Sequence, residues 1–294
     1  MKRIDIKITY KCNNNCKFCV QGDKRYWCQN KPADEIKKIL ETSKDNYGEV
    51  IFTGGEPTIR PDIIELIKFA KKAGYKIQIQ TNGRMFAYKD FCREIIKAGA
   101  DIFAISIHGH NAELHDYLTG AKGSFAESTS GIRNLLSFAK LTVTNTVINK
   151  ANFHYLPEIA RFLVDLGVPQ YQFAFPHILG STLTNKDLIV PRKKEIVPYL
   201  KKGLEVGIKN KRRPKTEAIP YCFLIGYEDC AAENDVAETK VFGIELTESF
   251  NRWRKEEGRR KGPRCKECKY FQCCEGPWRE YPEFFGWDEF IPVR

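Results

Sequence analysis

The sequence predicts an α/β protein: a partial (β/α)6 barrel of parallel strands followed by a small, irregular, cysteine-rich C-terminal module. Six strand-like segments alternate with six helix-like segments, and this alternation stops near Thr216, where cysteines, prolines and aromatic residues become frequent. Such alternation favours parallel strands joined by right-handed crossovers. Six units in about 205 residues suggest an open-sided barrel, because a complete eight-unit barrel takes about 250 residues, but the spacing also allows an open sheet.

The strands are predicted from apolar runs or from polar–apolar alternation, each ending in turn residues such as glycine or asparagine. In chain order they cover residues 4–10, 49–55, 75–83, 100–109, 141–149 and 171–180. These six segments are expected to form the barrel wall.

The helices are predicted from apolar residues at helical spacing. The second helix also has the residues typical of helix boundaries, since it begins at Pro61 and ends at Gly74. In chain order they cover residues 33–44, 61–74, 90–99, 124–140, 155–167 and 192–209. We therefore expect residues 1–215 to form the barrel and residues 216–294 to form the C-terminal module, in which 245–257 is the one predicted helix.

Composition indicates a folded enzyme-sized protein. The 294 residues are 42% hydrophobic and 12% aromatic, which is enough to bury a large core. No apolar run is long enough to cross a membrane and no signal peptide is apparent, so a cytoplasmic location is expected. The net charge of +11 is concentrated in 209–215 and 252–264. No groove-reading motif accompanies it, so a solvated basic face is favoured over nucleic-acid binding.

Eleven cysteines point to metal or redox chemistry, because structural disulfides are rare in a reducing compartment. Cys12, Cys16 and Cys19 follow the first strand with the spacing C-x3-C-x2-C. Three thiolates can bind three irons of a [4Fe–4S] cube and leave the fourth iron without a protein ligand. A zinc site is the alternative, but no fourth Cys or His stands at a typical zinc spacing, and Cys28 is nine residues further on.

This pattern, with Phe18 at its aromatic position, resembles the signature of the radical S-adenosylmethionine (SAM) superfamily. The resemblance implies that the open iron is chelated by the amino and carboxylate groups of SAM. An electron from the cluster would break the sulfonium C–S bond, and the resulting 5′-deoxyadenosyl radical would abstract hydrogen from the substrate. Phe18 would lie against the adenine.

Three further motifs follow predicted strands, where the functional groups of parallel α/β proteins gather. They are TGGEP (53–57), QTNG (80–83) and SIHG (106–109). In similar enzymes the first holds the SAM amino group, and the other two touch the ribose and carboxylate. The resemblance thus implies a SAM site that includes Gly54, Gly55, Glu56, Thr81, Asn82, Ser106 and, after the fifth strand, Asn149.

One position departs from the family pattern. Where the family often has an arginine that pairs with the SAM carboxylate, this sequence has Tyr117, and Lys122 is a possible substitute. The nearby His108, His110 and His115 have loop-like spacing, which disfavours a metal site.

The C-terminal segment CKECKYFQCC resembles part of a SPASM/Twitch extension, which binds auxiliary [4Fe–4S] clusters. The full SPASM pattern needs more cysteines, so the resemblance implies a shorter, Twitch-like module with one cluster. Its expected ligands are Cys222, Cys265, Cys268 and Cys274, with Cys230 and Cys273 as alternates. A zinc knuckle built from the same residues remains the alternative.

The sequence therefore predicts an enzyme that cleaves SAM reductively and abstracts hydrogen. The leading substrate class is a peptide or protein side chain, as in the maturation of ribosomally made peptides. The second is a small anionic metabolite or nucleotide, which the positive charge favours. The resemblance also implies an external one-electron reductant of the flavodoxin or ferredoxin type. A non-catalytic Fe–S electron carrier is the alternative from another class, but it would need neither an open iron nor SAM loops.

Overall fold

The computed structural model describes all 294 residues and contains one nine-stranded sheet in the spatial order β7-β6-β5-β4-β3-β2-β1-β8-β9. All neighbouring strands are parallel except β8 and β9, which form an antiparallel hairpin. The strands are β1 (Arg3–Thr9), β2 (Glu49–Gly54), β3 (Lys76–Thr81), β4 (Ile102–Ser106), β5 (Leu141–Val147), β6 (Gln170–Ala174), β7 (Arg213–Glu217), β8 (Thr239–Phe242) and β9 (Leu246–Thr247).

The six predicted helices are present as α2, α3, α4, α6, α7 and α10, so the six strand–helix units are confirmed. The sheet stays open, with β7 at one edge and β9 at the other. The helices are α1 (Lys24–Trp27), α2 (Ala33–Ser43), α3 (Ile63–Lys72), α4 (Lys89–Ala98), α5 (Ala112–Thr119), α6 (Ser124–Ser137), α7 (Leu156–Asp165), α8 (Ser181–Thr184), α9 (Lys186–Ile189), α10 (Lys193–Lys209), α11 (Phe250–Trp253) and α12 (Tyr281–Phe285).

The sheet has an apolar face under the helices and a polar face on its inner side. On β1, Ile4, Ile6 and Ile8 are fully buried, whereas Asp5 and Lys7 are only partly buried. This alternation follows from the two-residue period of a strand, which sends successive side chains to opposite faces. We call the space enclosed by the polar face the lumen.

The C-terminal residues continue the barrel rather than standing apart from it. The hairpin β8–β9 extends the sheet beyond β1, and one hydrophobic core runs from Ile4 to Phe290. The indole N–H of Trp278 donates to the Phe175 carbonyl at 3.3 Å. The expected boundary at residue 215 falls inside β7, and the division into two domains stays a prediction.

The predicted helix over 245–257 is shorter in the structure. Its first residues form β9, and α11 begins only after Ser249, whose hydroxyl accepts a hydrogen bond from the Arg252 N–H at 3.1 Å. A single π-helical turn over Arg254–Gly258 completes the segment. Because Ser249 caps the helix, α11 starts later in the chain than the sequence predicts.

None of the helices combines the length and the apolar character that crossing a bilayer requires.

Candidate functional site

A cavity of about 260 Å³ lies at the carboxyl ends of β1 to β5. Parallel strands end at the same edge of a sheet, so the segments that follow them meet there. Residues from every predicted SAM motif border this cavity: Cys12, Cys16, Phe18, Cys19, Gly54, Gly55, Thr81, Asn82 and Ser106. The structure thus brings together most of the residues singled out in the sequence.

Arg25, which the sequence analysis did not single out, holds the cysteine loop. Its guanidinium donates to the Asn15 side-chain oxygen at 2.7 Å, to the Cys12 carbonyl at 3.1 Å and to the Asn14 carbonyl. The arginine therefore ties three residues of the loop to α1. Its position six residues after Cys19 is the only sequence signal that could have identified it.

The three thiols fit a cluster that keeps one iron open. All three border one cavity, which leaves room beside them for a further ligand. Burial raises the pKa of Cys12 and of Cys16 above the ordinary value for a thiol, so metal binding must supply the charge that stabilises their thiolates. No three His, Cys, Asp or Glu side chains in the protein converge closely enough to hold a single metal ion.

The glycine pair at the end of β2 packs directly against the last residue of β1 and the backbone of the cysteine loop. Gly54 has φ of +127°, and a Cβ there would lie 2.0 Å from the Thr9 carbonyl oxygen. A Cβ on Gly55 would lie 2.2 Å from the Lys11 carbonyl oxygen. Only glycine permits this approach, which brings the backbone of the turn to the cavity wall.

Glu56 lies behind the cavity wall instead of on it. Its carboxylate is fully buried and accepts hydrogen bonds from the Thr81 hydroxyl at 2.7 Å and the Asn82 N–H at 2.6 Å, as well as from Thr58. Burial raises the pKa of this carboxyl group. The side chain therefore joins the ends of β2 and β3, and its contact with the SAM amino group stays a prediction.

Asn149 also lies away from the cavity. It is fully buried, and its side-chain oxygen accepts from the N–H groups of Ala151 and Asn152 at 3.0 and 3.1 Å. Its side-chain nitrogen donates to the Val147 carbonyl at 3.0 Å. The side chain thus shapes the turn after β5, and its ribose contact stays a prediction.

The histidines near the cavity are used for packing. The backbone N–H of His108 donates to Nδ1 of His115 at 3.0 Å, so that nitrogen must carry a lone pair. Burial lowers the pKa of His115 to about 4, although neighbouring Asp116 opposes the shift. The ring of Phe18 meets His108 edge-on with a centroid distance of 4.6 Å. His108 therefore supports the side chain that is expected to contact adenine.

Neither Tyr117 nor Lys122 borders the cavity. The ammonium of Lys17 lies over the Tyr117 ring at 4.7 Å. The cations on the cavity wall are Lys7 and Arg25, and neither forms a salt bridge. Alternation within β1 could have indicated Lys7, because it lies on the face opposite the isoleucines.

A second, smaller pocket of about 30 Å³ lies in the C-terminal module. Four thiols border it, and they belong to the expected set Cys222, Cys265, Cys268 and Cys274. Burial raises the pKa of Cys222 to about 12, and the neighbouring thiols add to the shift. The alternates do not border this pocket, since Cys273 is exposed and Cys230 is buried elsewhere.

Backbone N–H groups point at two of these sulfurs. The N–H of Gly262 donates to Sγ of Cys265 at 3.2 Å, and the N–H of Val293 donates to Sγ of Cys268 at 3.4 Å. Hydrogen bonds to sulfur are a common feature of cysteine-ligated metal sites. The aromatic rings of Tyr270 and Phe290 complete the wall of the pocket.

Several known proteins are similar in sequence to parts of this chain. An AdoMet-dependent heme synthase of Oleidesulfovibrio alaskensis is 31% identical over 163 residues, which is 55% of this chain and 42% of that protein. A PqqA peptide cyclase of Bradyrhizobium diazoefficiens is 28% identical over 197 residues, which is 63% of this chain and 49% of that protein. The chain spans about half the length of these curated relatives.

Solved structures share its fold. Streptococcus suis SuiB bound to S-adenosylmethionine superposes with a TM-score of 0.68 at 18% identity, over 94% of this chain and 72% of that one. The sequence model of the Radical SAM superfamily matches residues 6–163, which is more than half of the chain and includes the three cysteines and the glycine turn. Enzymes of this superfamily use a [4Fe–4S] cluster and SAM. The chain therefore belongs to the radical SAM superfamily.

Proposed function

We propose that this radical SAM enzyme binds its cluster through Cys12, Cys16 and Cys19 and modifies a side chain of a peptide or protein. The observation that carries the proposal is that the three thiols and the glycine turn border one cavity. When bound, the cluster supplies one electron to cleave SAM into methionine and a 5′-deoxyadenosyl radical, which abstracts hydrogen from the substrate.

The residues of the chain bind and orient SAM in this proposal. Gly54 and Gly55 present backbone groups to the amino end of SAM, while Phe18 packs against the adenine. Asn82 and Ser106 offer side-chain hydrogen bonds to the ribose and carboxylate. Glu56 positions the Asn82 backbone, since its carboxylate accepts from the Asn82 N–H.

We also propose an auxiliary [4Fe–4S] cluster in the C-terminal pocket, with Cys222, Cys265, Cys268 and Cys274 as its four ligands. The grouping of these thiols supports this proposal, as do the two N–H groups aimed at sulfur. A zinc ion on the same thiols is the competing assignment. The thiols do not converge closely enough in this structure to hold a single metal ion, and metal analysis separates the two assignments.

The peptide assignment has support from sequence and from shape. One of the relatives is a PqqA peptide cyclase, and the open edge of the barrel leaves a way into the polar lumen for an extended chain. We further propose that a flavodoxin or ferredoxin reduces the cluster, and that the enzyme works in the cytoplasm, where its eleven free thiols stay reduced.

A small anionic metabolite is the second candidate substrate, and Lys7 favours it. This ammonium borders the cavity and has no carboxylate partner. Equilibrium dialysis with GTP on the wild type and on Lys7→Gln separates the candidates. The peptide proposal expects weak binding that Lys7→Gln leaves unchanged, whereas a loss of tenfold or more in Lys7→Gln would favour the anionic metabolite.

Metal analysis after anaerobic reconstitution tests the cluster assignments. We expect about eight irons per chain in the wild type, and about four in a variant with alanine at Cys12, Cys16 and Cys19. A variant with alanine at Cys265, Cys268 and Cys274 should also retain about four irons and still cleave SAM under dithionite.

Cys92→Ala is the matched control, because Cys92 is buried in α4 and borders neither pocket. Zinc that is retained in the first triple variant would assign the C-terminal pocket to zinc. An iron content that is the same in the first triple variant as in the wild type would contradict the central assignment.

A further inference from the structure

A second group of polar side chains lies beyond the SAM cavity, at the carboxyl ends of β6 and β7. Glu217 is the last residue of β7, and His177 lies three residues after the end of β6. The imidazole of His177 stacks on Trp278 with a centroid distance of 4.1 Å and lies 3.2 Å from the Glu280 carboxylate. We call Glu217 and the groups around it the β6–β7 site.

The β6–β7 site is connected to the SAM cavity through side chains in the lumen. Asn145 of β5 borders the cavity, and its side-chain oxygen lies 3.3 Å from Nε2 of Gln172 on β6. The same Nε2 donates to the Glu217 carboxylate at 2.9 Å. These three residues lie on three adjacent strands, so a substrate that reaches SAM along the lumen passes Glu217.

Two cations of the site, Arg259 and Arg254, are already paired with other carboxylates. Arg259 lies 3.0 Å from Glu233, and Arg254 lies 2.6 Å from Glu275. Glu217 forms no salt bridge, and its one side-chain partner is the neutral amide of Gln172. Glu217 is therefore the one carboxylate of the site without a cation within salt-bridge distance. Burial and neighbouring Glu233 raise the pKa of its carboxyl group, and the more distant Arg259, Arg254 and His177 offset only part of this rise.

The backbone next to Glu217 is strained and is held by hydrogen bonds to the side chains of Glu233 and Lys193. Ala218 has φ of +62°, a left-handed conformation that costs a non-glycine residue free energy. Its N–H donates to the Glu233 carboxylate at 2.8 Å, and its carbonyl accepts from Nζ of the fully buried Lys193 at 2.8 Å. The half-buried carboxylate of Glu233 and the buried amine of Lys193 thus fix the direction in which β7 ends.

Such strain persists where the surrounding structure imposes it, and it concentrates at sites of function. Burying a lysine also carries a large desolvation cost. A strand that only contributed to the sheet could end in an unstrained turn. The arrangement is explained if the orientation of Glu217 towards the lumen matters.

Resting on the proposed function, we propose that Glu217 contacts the substrate and binds a positively charged group of a peptide, such as an amine or a guanidinium. Glu217 is half-buried on the lumen face of β7, and burial raises the pKa of its carboxyl group. Only the side chain of Gln172 separates it from Asn145 of the SAM cavity wall. A cationic group of the substrate would form with Glu217 the salt bridge that no side chain of the protein forms. A purely structural Glu217 would serve only to accept the Gln172 hydrogen bond.

Equilibrium dialysis on the reconstituted, SAM-loaded enzyme tests the proposal with two capped tripeptides, acetyl-Gly-Lys-Gly-amide and acetyl-Gly-norleucine-Gly-amide. The wild type should bind the lysine peptide at least tenfold more tightly than the norleucine peptide. In Glu217→Gln, which keeps an oxygen acceptor for Gln172, the preference should fall to twofold or less. Glu41→Gln, which removes an exposed carboxylate on α2, should keep the preference.

Iron content and the thermal unfolding midpoint of Glu217→Gln should match those of the wild type. A change in peptide preference can then be assigned to the lumen and not to a loss of folding or of iron. An absent preference in the wild type, or one that Glu217→Gln retains, would overturn the assignment of Glu217. Reductive SAM cleavage by the same preparation separates this failure from a failure of the proposed function. If SAM is cleaved and the two peptides bind equally well, only the role of Glu217 falls. If SAM is cleaved and neither peptide binds, the peptide assignment itself fails.

Discussion

At the scale of single residues, the buried polar groups around the cavity act on the backbone. Glu56 accepts hydrogen bonds that hold the ends of β2 and β3, and Asn149 does the same for the turn after β5. Inside a protein an unpaired polar group is costly. Loss of one of these hydrogen bonds would therefore destabilise the loop and also change its shape. Substitutions here should therefore change both the stability of the fold and the affinity for SAM.

Glu56→Ala should lower the free energy of unfolding by about 2–4 kcal/mol, because it leaves buried donors of Thr58 and Asn82 without an acceptor. Glu56→Gln keeps one oxygen acceptor and should lose less. Urea unfolding followed by circular dichroism measures the difference. Equilibrium dialysis should also show weaker SAM binding in Glu56→Ala, and a loss below about 1 kcal/mol would contradict this role.

His115 should make the fold sensitive to acid. Burial lowers its pKa to about 4, against about 6.5 in the unfolded chain, so the folded state favours the neutral ring. The stability it contributes is complete above pH 6.5 and is lost as the pH falls towards 4, by at most about 1.4 kcal/mol per pH unit. Adjacent Asp116 opposes part of this effect, and buried His108 adds a loss of the same sign.

Urea midpoints at pH 7.5, 6.0 and 5.0 measure this dependence. The slope should be smaller in His115→Asn and unchanged in His154→Asn, since the imidazole of His154 is exposed. Equal slopes in the wild type and in His115→Asn would show that another group is responsible.

At the scale of elements, the site depends on how closely the segments after β1 and β2 approach each other. The glycine turn touches the backbone of the cysteine loop, and Arg25 holds the same loop from the side of α1. The loop contains no regular secondary structure between Tyr10 and Lys17, so these contacts define its shape.

Gly54→Ala should disrupt the junction of β1 and β2, because the new Cβ would meet the Thr9 carbonyl at 2.0 Å. Gly74→Ala is the matched control, since Gly74 also has positive φ, of +92°, but open space around it. Both variants carry a backbone penalty of about 1–3 kcal/mol. Thermal unfolding and SAM binding should be impaired further in Gly54→Ala alone, and equal losses in the two variants would argue against the close contact.

Arg25→Gln should loosen the cysteine loop and speed the loss of iron. The guanidinium makes charge-assisted hydrogen bonds to the loop, which glutamine cannot reproduce with the same geometry. The rate of iron transfer to an external chelator measures the effect, and we expect it to rise severalfold. Arg93→Gln, on the exposed surface of α4, should leave the rate unchanged. If the two variants lose iron equally fast, Arg25 has no role in holding the loop.

At the scale of the whole molecule, the C-terminal residues and the barrel share one core. Tyr281 shows the connection, because its hydroxyl accepts from the Lys193 N–H at 2.9 Å and also bonds the Glu289 carboxylate. Buried in the same core, Phe175 and Tyr281 meet edge to face at 5.3 Å. The auxiliary pocket is therefore attached to the barrel by packing as well as by the chain.

The chain should unfold in a single cooperative transition. Three of its four tryptophans, Trp253, Trp278 and Trp287, lie in the C-terminal region, whereas circular dichroism reports mainly the barrel helices. The two signals should have the same urea midpoint. In Tyr281→Phe both midpoints should fall together, by the equivalent of about 1–3 kcal/mol. Separate midpoints would show that the two regions unfold independently.

Much of this organisation is readable in the sequence, because it depends on local patterns. Strand and helix periods predict the six units, and parallel strands place the motifs that follow them at one edge of the sheet. The spacing of Cys12, Cys16 and Cys19 indicates an iron–sulfur site without any knowledge of the fold. The four C-terminal thiols could be grouped in advance because three of them lie within ten residues.

Other features depend on contacts between distant residues, which no local pattern records. Long-range hydrogen bonds put Glu56 behind the wall, and only pairing with β1 draws β8 into the sheet. The charge balance around Glu217 exists only once β7 ends beside residues far along the chain, such as Arg259. Local patterns thus determined the elements and the cysteine chemistry, whereas tertiary packing decided which polar groups face the cavity, because burial and pairing are properties of the folded chain.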